Sequence, residues 1–360
     1  MNIASTLHLF TLTHPPTHLP THSPTLPLTH SSTHPLPMPP TSPTKPSPVK
    51  LYDFHPPVED FRSAVLRGLS LPQKRLSPQF LYDKRGSELF DAICQLPEYY
   101  LTRTEMGILR AHAKDIAIAL DHRALVELGS GSSQKIRILL KAAPQVKTYV
   151  GVDISRQHLQ EACGALMADF EGLEAIAVCA DYTKPLPLGT IPELRDRPTI
   201  GFFPGSSIGN LEPAEVITFL KTVAVLGDLI VGVDLKKSAA ILEPAYDDAQ
   251  GVSAAFALNV LTRINRELEA DFDLSQFEYR AHYNEKVGRI EMAIASLCDQ
   301  TVHLGEAKIP FTAGETLRTE HSYKYTVDEF QLLAMEAGFQ PVQVWTDGQQ
   351  LFSLHHLKQM

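Results

Sequence analysis

Between residues 124 and 235 short apolar runs alternate with stretches whose apolar positions recur every three or four residues. The runs at 124–128, 148–153, 175–180, 199–203 and 229–235 read as fully buried strands. The stretches between them read as amphipathic helices, most plainly where Ile136, Leu139 and Leu140 share one face. This order predicts an open parallel sheet covered by helices, with its ligand above the carboxyl ends of the strands. Ahead of the sheet, helical patterns cover 60–69, 87–96 with Ser87 as a candidate cap, and 104–120. Behind it the order breaks. A long helix over 252–269 precedes strand-like segments at 277–283, 289–297 and 301–304, which suit an antiparallel sheet covered on one face. A helix over 327–337 and strands near 342–345 and 352–357 then return to the first sheet.

The polar residues that end the apolar runs carry the chemistry. The first run continues as Glu127-Leu-Gly-Ser-Gly-Ser-Ser-Gln-Lys135, a strand that turns on two glycines directly into a helix. Gly129 and Gly131 permit a sharp turn and a close approach to a ligand. A dinucleotide fingerprint requires a third glycine where Gln134 stands, so a nicotinamide oxidoreductase is disfavoured. Without it, the strand end resembles the first motif of class I S-adenosylmethionine-dependent methyltransferases. The second run ends on Asp153, placed to accept both hydroxyls of a ribose, although the same carboxylate could merely cap the next helix. The third ends on Asp181 and Tyr182, suited to an adenine amino group and the face of its ring.

Composition narrows the partners. The 360 residues carry 41 acidic and 32 basic side chains, a net charge of −9, which offers no electrostatic footprint for nucleic acid. No apolar run approaches the length of a membrane span. Cys94, Cys163, Cys179 and Cys298 lack metal-ligand spacing and read as reduced core residues, so a cytoplasmic protein is expected, with no metal. Residues 1–50 are dominated by Pro, Thr, Ser and His and are expected to be a disordered tail. The remaining plan is a substrate-binding domain from 51–102 plus 237–324 and a methyltransferase domain from 103–236 plus 325–360. In short, the expected fold is α/β, a Rossmann-like class I methyltransferase domain with an inserted α+β substrate-binding domain.

Several longer blocks extend the likeness. Tyr82-Asp-Lys-Arg-Gly-Ser-Glu-Leu-Phe90, Leu96-Pro-Glu-Tyr-Tyr-Leu-Thr-Arg-Thr-Glu105, Phe203-Pro-Gly-Ser-Ser-Ile-Gly-Asn210, Ala245-Tyr-Asp-Asp248 and Ile290-Glu-Met292 join the glycine loop. Together they resemble the histidine-specific Nα-methyltransferase family over roughly residues 51–360. The resemblance implies three successive methyl transfers from S-adenosylmethionine to L-histidine, giving hercynine on the way to ergothioneine. It implies cofactor contacts at Gly129, Lys135, Asp153, Asp181 and Tyr182. It places Tyr99, Gly205, Asn210 and Tyr246 around the amino and carboxylate groups, and Glu320 and Ser322 on the imidazole. Tyr82 and Met292 would line the pocket, Tyr82 and Asn210 would carry the catalytic role, and His321 would contribute through its backbone or edge. Ala257 and Ser253 depart from the family's usual asparagine and threonine, and neither is expected at a binding position.

These residue types suit the reaction. Methyl transfer is an in-line displacement, so the main task is to hold a neutral amine in line with a sulfonium carbon. A carboxylate needs donors, which Asn210, Tyr99 and Tyr246 can supply, and an imidazole needs an acceptor and a donor, which Glu320 and Ser322 can supply. No strong general base is expected. The expected partner is L-histidine, and the expected state is a monomer. Two alternatives stay open: methylation of another amino acid or an indole amine on the same scaffold, and a cofactor-binding regulator without catalysis.

Overall fold

The computed structural model describes residues 49–54, 60–131 and 134–360, all within one compact unit spanning 46–360. Nearly all of the segment expected to be a disordered tail lies outside the described residues. The chain enters through β1 (Lys50–Asp53) and then four helices, α1 (Phe61–Leu69), α2 (Lys84–Ile93), α3 (Tyr100–Ala111) and α4 (Ala113–Leu120). The alternating part follows as β2 (Ala124–Leu128), α5 (Gln134–Ala142), β3 (Thr148–Asp153), α6 (Arg156–Asp169), β4 (Glu174–Cys179), β5 (Thr199–Phe203), α7 (Pro213–Val223) and β6 (Asp228–Asp234). Helices α8 (Ala239–Tyr246) and α9 (Val252–Leu268) lead to five strands, β7 (Phe277–Asn284), β8 (Arg289–Ser296), β9 (Gln300–Leu304), β10 (Ala307–Phe311) and β11 (Thr316–Tyr323). Helix α10 (Val327–Glu336), β12 (Phe339–Thr346) and β13 (Phe352–Gln359) close the chain.

One eight-stranded sheet runs in the order β1-β4-β3-β2-β5-β6-β13-β12. All neighbours from β1 to β6 are parallel, and β13 is antiparallel to both β6 and β12. The inner strands β2 to β6 are largely apolar because both faces are covered. Leu125, Tyr149, Ala177, Phe202 and Ile230 point into one core, and Val126, Val150, Val178, Phe203 and Val231 into the other. Beside this sheet stand a three-stranded antiparallel sheet, β11-β8-β7, and the pair β10-β9.

Local expectations were corrected in four places. The start of the segment from 51 is a strand, and Leu51 pairs with Ala177 at the edge of the large sheet rather than joining the neighbouring helices. Helix α2 is capped by the Asp83 carboxylate, which accepts the Gly86 N–H at 2.8 Å, so the helix starts before Ser87. The pattern over 104–120 is two helices that meet at His112. Finally, 316–323, outside every expected strand, is strand β11, with an irregularity in its pairing to β8 between Arg318 and Glu320.

Candidate functional site

Above the carboxyl ends of β2, β3 and β4 the glycine loop meets two carboxylates and an aromatic ring. Gly129 and Gly131 have φ of 75° and 27°, conformations that favour glycine, and the Gly129 N–H donates to the Val152 carbonyl at 2.8 Å. Asp153 accepts the Ser155 N–H at 2.9 Å, so it braces the turn after β3 and also faces the loop; burial raises its pKa. Asp181 accepts from the Thr183 N–H at 2.9 Å and its hydroxyl at 2.6 Å. Tyr182 stands against the loop, since a Cβ at Gly129 would lie 3.6 Å from its ring, and it packs edge-on to Phe203 with centroids 5.6 Å apart. Beneath them Glu127 is buried, takes the Tyr149 hydroxyl at 2.6 Å, and is pushed up to about 8 by its burial. This donor set fits a nucleoside ligand that carries an amino acid arm.

Lys135 points toward the neighbouring cavity. Its ammonium pairs with fully buried Glu105 at 2.6 Å, and both Glu105 oxygens accept the Gly205 N–H at 3.0 Å. Gly205 and Ser206 both have positive φ, 81° and 58°, the second a strained conformation for a serine. The turn is held because the Ser206 hydroxyl oxygen accepts the Asp234 N–H at 2.9 Å. A 3₁₀ turn, Ser207–Asn210, follows and presses on β11 so closely that a Cβ at Gly209 would stand 2.6 Å from the Tyr323 carbonyl.

A cavity of about 700 Å³, including its open mouth, lies between this turn, α2, α8, α9 and the β7-β8-β11 sheet. Tyr82, Tyr99, Gly205, Asn210, Tyr246, Met292, Glu320 and Ser322 all line it. Five separate sequence blocks and the 320–322 segment therefore meet at one place. Glu320 and Met292 are direct partners across β11 and β8, and Glu320 hydrogen-bonds to none of the described residues. Enclosure away from water pushes its carboxyl up to about 8. Burial likewise holds the Tyr82 and Tyr99 hydroxyls well above the ordinary tyrosine value. The 40 % of Tyr82 that remains accessible is cavity wall. Tyr82, Phe90, Tyr99 and Phe256 pack edge-on or tilted, with centroids 5.3–6.4 Å apart.

The structure bears on two expectations about the cavity. His321 is not among its lining residues: β11 alternates here, so the residue between Glu320 and Ser322 leaves only its backbone toward the site and points its side chain to the other face. There it packs edge-on to Tyr323, centroids 5.4 Å apart, 3.9 Å from the Glu212 carboxylate. Ser253 and Ala257, in turn, do line the cavity from α9, so the departure from the usual residues touches the site itself.

Residues without an obvious sequence signal complete the wall. Lys324 is fully buried, and its ammonium reaches the Tyr246 hydroxyl at 2.6 Å, the Ser322 hydroxyl at 2.9 Å and Asp234 at 2.6 Å. Asp234 also takes the Tyr100 hydroxyl at 2.7 Å and the Lys237 ammonium at 2.7 Å. Tyr279 lines the cavity and donates to the Tyr246 carbonyl at 2.9 Å. Only the placement of Asp234 at a strand end, with Lys237 three residues on, could have pointed to this cluster, because Tyr100 and Lys324 lie far away in sequence.

The sheet order, the antiparallel β13 and the glycine turn with its strand-end acids define a class I S-adenosylmethionine-dependent methyltransferase. The family model for histidine-specific, S-adenosylmethionine-dependent methyltransferases matches residues 61–359, and the chain belongs to that family. A histidine N-alpha-methyltransferase from Mycolicibacterium smegmatis is 43% identical over 298 residues, covering 80% of this chain and 92% of that protein. Its counterpart from Mycobacterium tuberculosis is 42% identical over 295 residues, covering 79% and 91%. Ergothioneine biosynthesis protein 1 of Neurospora crassa is 31% identical over 296 residues, 79% of this chain but 33% of that longer protein. Among the described residues no helix is long and apolar enough to cross a membrane.

Proposed function

We propose that this methyltransferase acts on the α-amine of L-histidine and transfers three methyl groups in succession to give Nα,Nα,Nα-trimethylhistidine, hercynine, as a step toward ergothioneine. The observation that carries the reading is Glu320, whose carboxyl hydrogen-bonds to none of the described residues and lines the cavity together with Ser322 and Tyr246. An imidazole placed there finds an acid group for one nitrogen and a hydroxyl for the other. Asn210, exposed at the rim, and Tyr99 are left to the amino acid backbone, with Tyr246. The relatives named as histidine N-alpha-methyltransferases support the same substrate.

S-adenosylmethionine supplies an electrophilic methyl group on a sulfonium, and Gly129, Asp153, Asp181 and Tyr182 are the residues proposed to hold it. Lys135, fixed by Glu105, stands between that loop and the Gly205 turn. The Gly205 N–H is already donated to Glu105, so Gly205 meets a substrate through its carbonyl, an acceptor for the amine hydrogens. That contact orients the nitrogen lone pair. Tyr82 and Tyr99 remain protonated and act as hydrogen-bonding walls rather than bases. The aromatic side of the cavity, Tyr82, Phe90 and Phe256, offers ring surface to an amine that grows more apolar with each transfer, releases a proton to solvent before the next, and becomes permanently cationic only on the third.

Calorimetry on Glu320→Ala tests the reading. Histidine affinity is expected to fall by about 30-fold or more, the cost of losing one buried hydrogen-bonding partner to a charged or polar ring. Unchanged histidine affinity in Glu320→Ala sinks it.

A further inference from the structure

Strand β11 carries one residue more than the strand it pairs with. Arg318 lies opposite Ala293 and Glu320 opposite Met292, so Thr319 and Glu320 together stand against a single step of β8. This is a β-bulge. Its consequence for the cavity follows from the alternation of a strand. Leu317, Glu320 and Ser322 face the inner positions Ile294, Met292 and Ile290 of β8, while Arg318, His321 and Tyr323 fall on the other side. Were Thr319 to take a regular place opposite Met292, Glu320 would move to the outer side against Glu291, two carboxylates side by side, and His321 would stand opposite Ile290 in its stead. The bulge therefore decides which of two adjacent titratable side chains the cavity receives.

Both halves of the strand are anchored, which fixes where the extra residue goes. Ahead of the bulge, the Arg318 N–H donates to the Lys74 carbonyl at 2.9 Å, the Arg318 carbonyl accepts the Leu76 N–H at 3.0 Å, and the Gln73 amide donates to the Thr316 carbonyl at 2.9 Å. Behind it, the Lys324 N–H donates to the Gly288 carbonyl at 2.8 Å, the Tyr325 carbonyl accepts the Lys236 N–H at 2.9 Å, and Gly209 presses on Tyr323. A slip of either half breaks its anchor. Thr319 absorbs the difference: it is 3 % exposed, lines the cavity beside Glu320, and its hydroxyl donates to the Met292 carbonyl at 3.2 Å. Two consecutive residues facing one cavity is what a regular strand forbids and a bulge allows. Glu320 itself hydrogen-bonds to none of the described residues, so its carboxyl takes its direction from the backbone that carries it.

We propose that Thr319 is a positioning residue: the bulge it forms, tied by its hydroxyl to Met292, aims the Glu320 carboxyl at the ring of the amine substrate and so sets the preference for histidine. The inference deepens the histidine reading and rests on it. Thr319 acts through Glu320 and belongs to specificity rather than to the transfer step.

The test compares L-histidine with 3-(2-thienyl)-L-alanine, an amino acid of similar size whose ring has no N–H, in the parent, Thr319→Val, Thr319→Ser and a variant with Thr319 deleted. Binding of S-adenosylmethionine by calorimetry checks that each is folded. The parent is expected to prefer histidine by about 1000-fold or more in kcat/KM, because the analogue leaves a buried polar group unpaired. Thr319→Val keeps the shape and loses the hydroxyl: histidine falls by about 10-fold, in KM rather than kcat, while the analogue falls by less than about 3-fold. Thr319→Ser restores the parent's values. The deletion gives a regular ladder with Glu320 still opposite Met292 but no longer aimed by a bulge, and histidine is expected to lose about 30-fold or more with little change in the analogue. Equal losses on both substrates would show a merely structural role and overturn the inference, as would an unchanged preference in Thr319→Val and in the deletion. Should the deletion fail to bind the cofactor, Thr319→Val decides alone. Failure of the histidine reading looks different: the parent itself then shows no preference for histidine over the analogue, and both fall together.

Discussion

Glu320 is held in a protonated form by its surroundings until a ligand gives it a partner. An unfolded chain loses this proton near 4.5, whereas the folded protein keeps it to about 8. Between those values the folded state holds the extra proton, so this group's contribution to stability declines as pH rises through that window. Glu320→Gln removes the dependence. Its melting temperature is expected to exceed the parent's by about 3–5 °C at pH 8, with the gap closing by pH 4–5, in thermal unfolding followed by circular dichroism. A gap independent of pH would contradict the burial argument. Tyr82 shares this character, a hydroxyl that burial keeps from ionising. Tyr82→Phe is expected to keep turnover within about 10-fold, since only a hydrogen bond is lost, and to leave the alkaline limb of the pH profile in place. Loss of turnover by several orders of magnitude with unchanged histidine affinity would make Tyr82 a base after all. The tyrosines were legible because they sit in unusual blocks such as Tyr82-Asp-Lys-Arg-Gly, whereas Glu320 was reached only through the family resemblance those blocks carry. Lys324 was not, because a lysine after a strand ordinarily means solvent, and its partner Asp234 is 90 residues away.

At the scale of elements, the edge strand β1 is half-exposed and escaped notice, whereas the parallel strands β2 to β6 declared themselves because burial on both faces leaves them largely apolar. Their helices followed from the spacing of apolar residues. β11 escaped notice: Thr316-Leu-Arg-Thr-Glu-His-Ser-Tyr323 has a pairing irregularity at Arg318/Glu320 that interrupts its alternation, and its inward polar residues belong to a cavity rather than to solvent. The start of α2 was misplaced for a simpler reason. Asp83 and Ser87 are both good caps, and only the fold decides between them by giving Asp83 the Arg266 guanidinium at 2.8 Å and the Asn259 amide at 2.7 Å. The element contact with most at stake is the one Glu105 makes. From α3 it joins Lys135 on α5 to the Gly205 turn after β5. Glu105→Ala leaves the Lys135 ammonium without its partner and the Gly205 N–H without its acceptor. It is expected to cost about 3 kcal/mol in urea unfolding and to raise the KM for histidine. Unchanged unfolding would show that water replaces the carboxylate at no cost.

For the whole molecule, a parallel sheet supplies one ligand surface at its strand ends, and the chain between β6 and α10 supplies the opposite wall. The Gly205–Asn210 turn belongs to both, since it ends β5 and lines the cavity. The alternating order of strands and helices revealed the first surface. The second was readable only as separate blocks, because pairings such as Glu320 with Met292 or Tyr246 with Ser322 join positions far apart in sequence. The central claim is that these two surfaces bring a methyl donor and the amine of histidine together. Incubating the protein with S-adenosylmethionine and an equimolar mixture of the common amino acids, followed by mass spectrometry, tests it most directly. The account predicts that histidine alone gains mass, through mono- and dimethyl forms to the trimethyl product. Methylation of another amino acid, with histidine untouched, would contradict it.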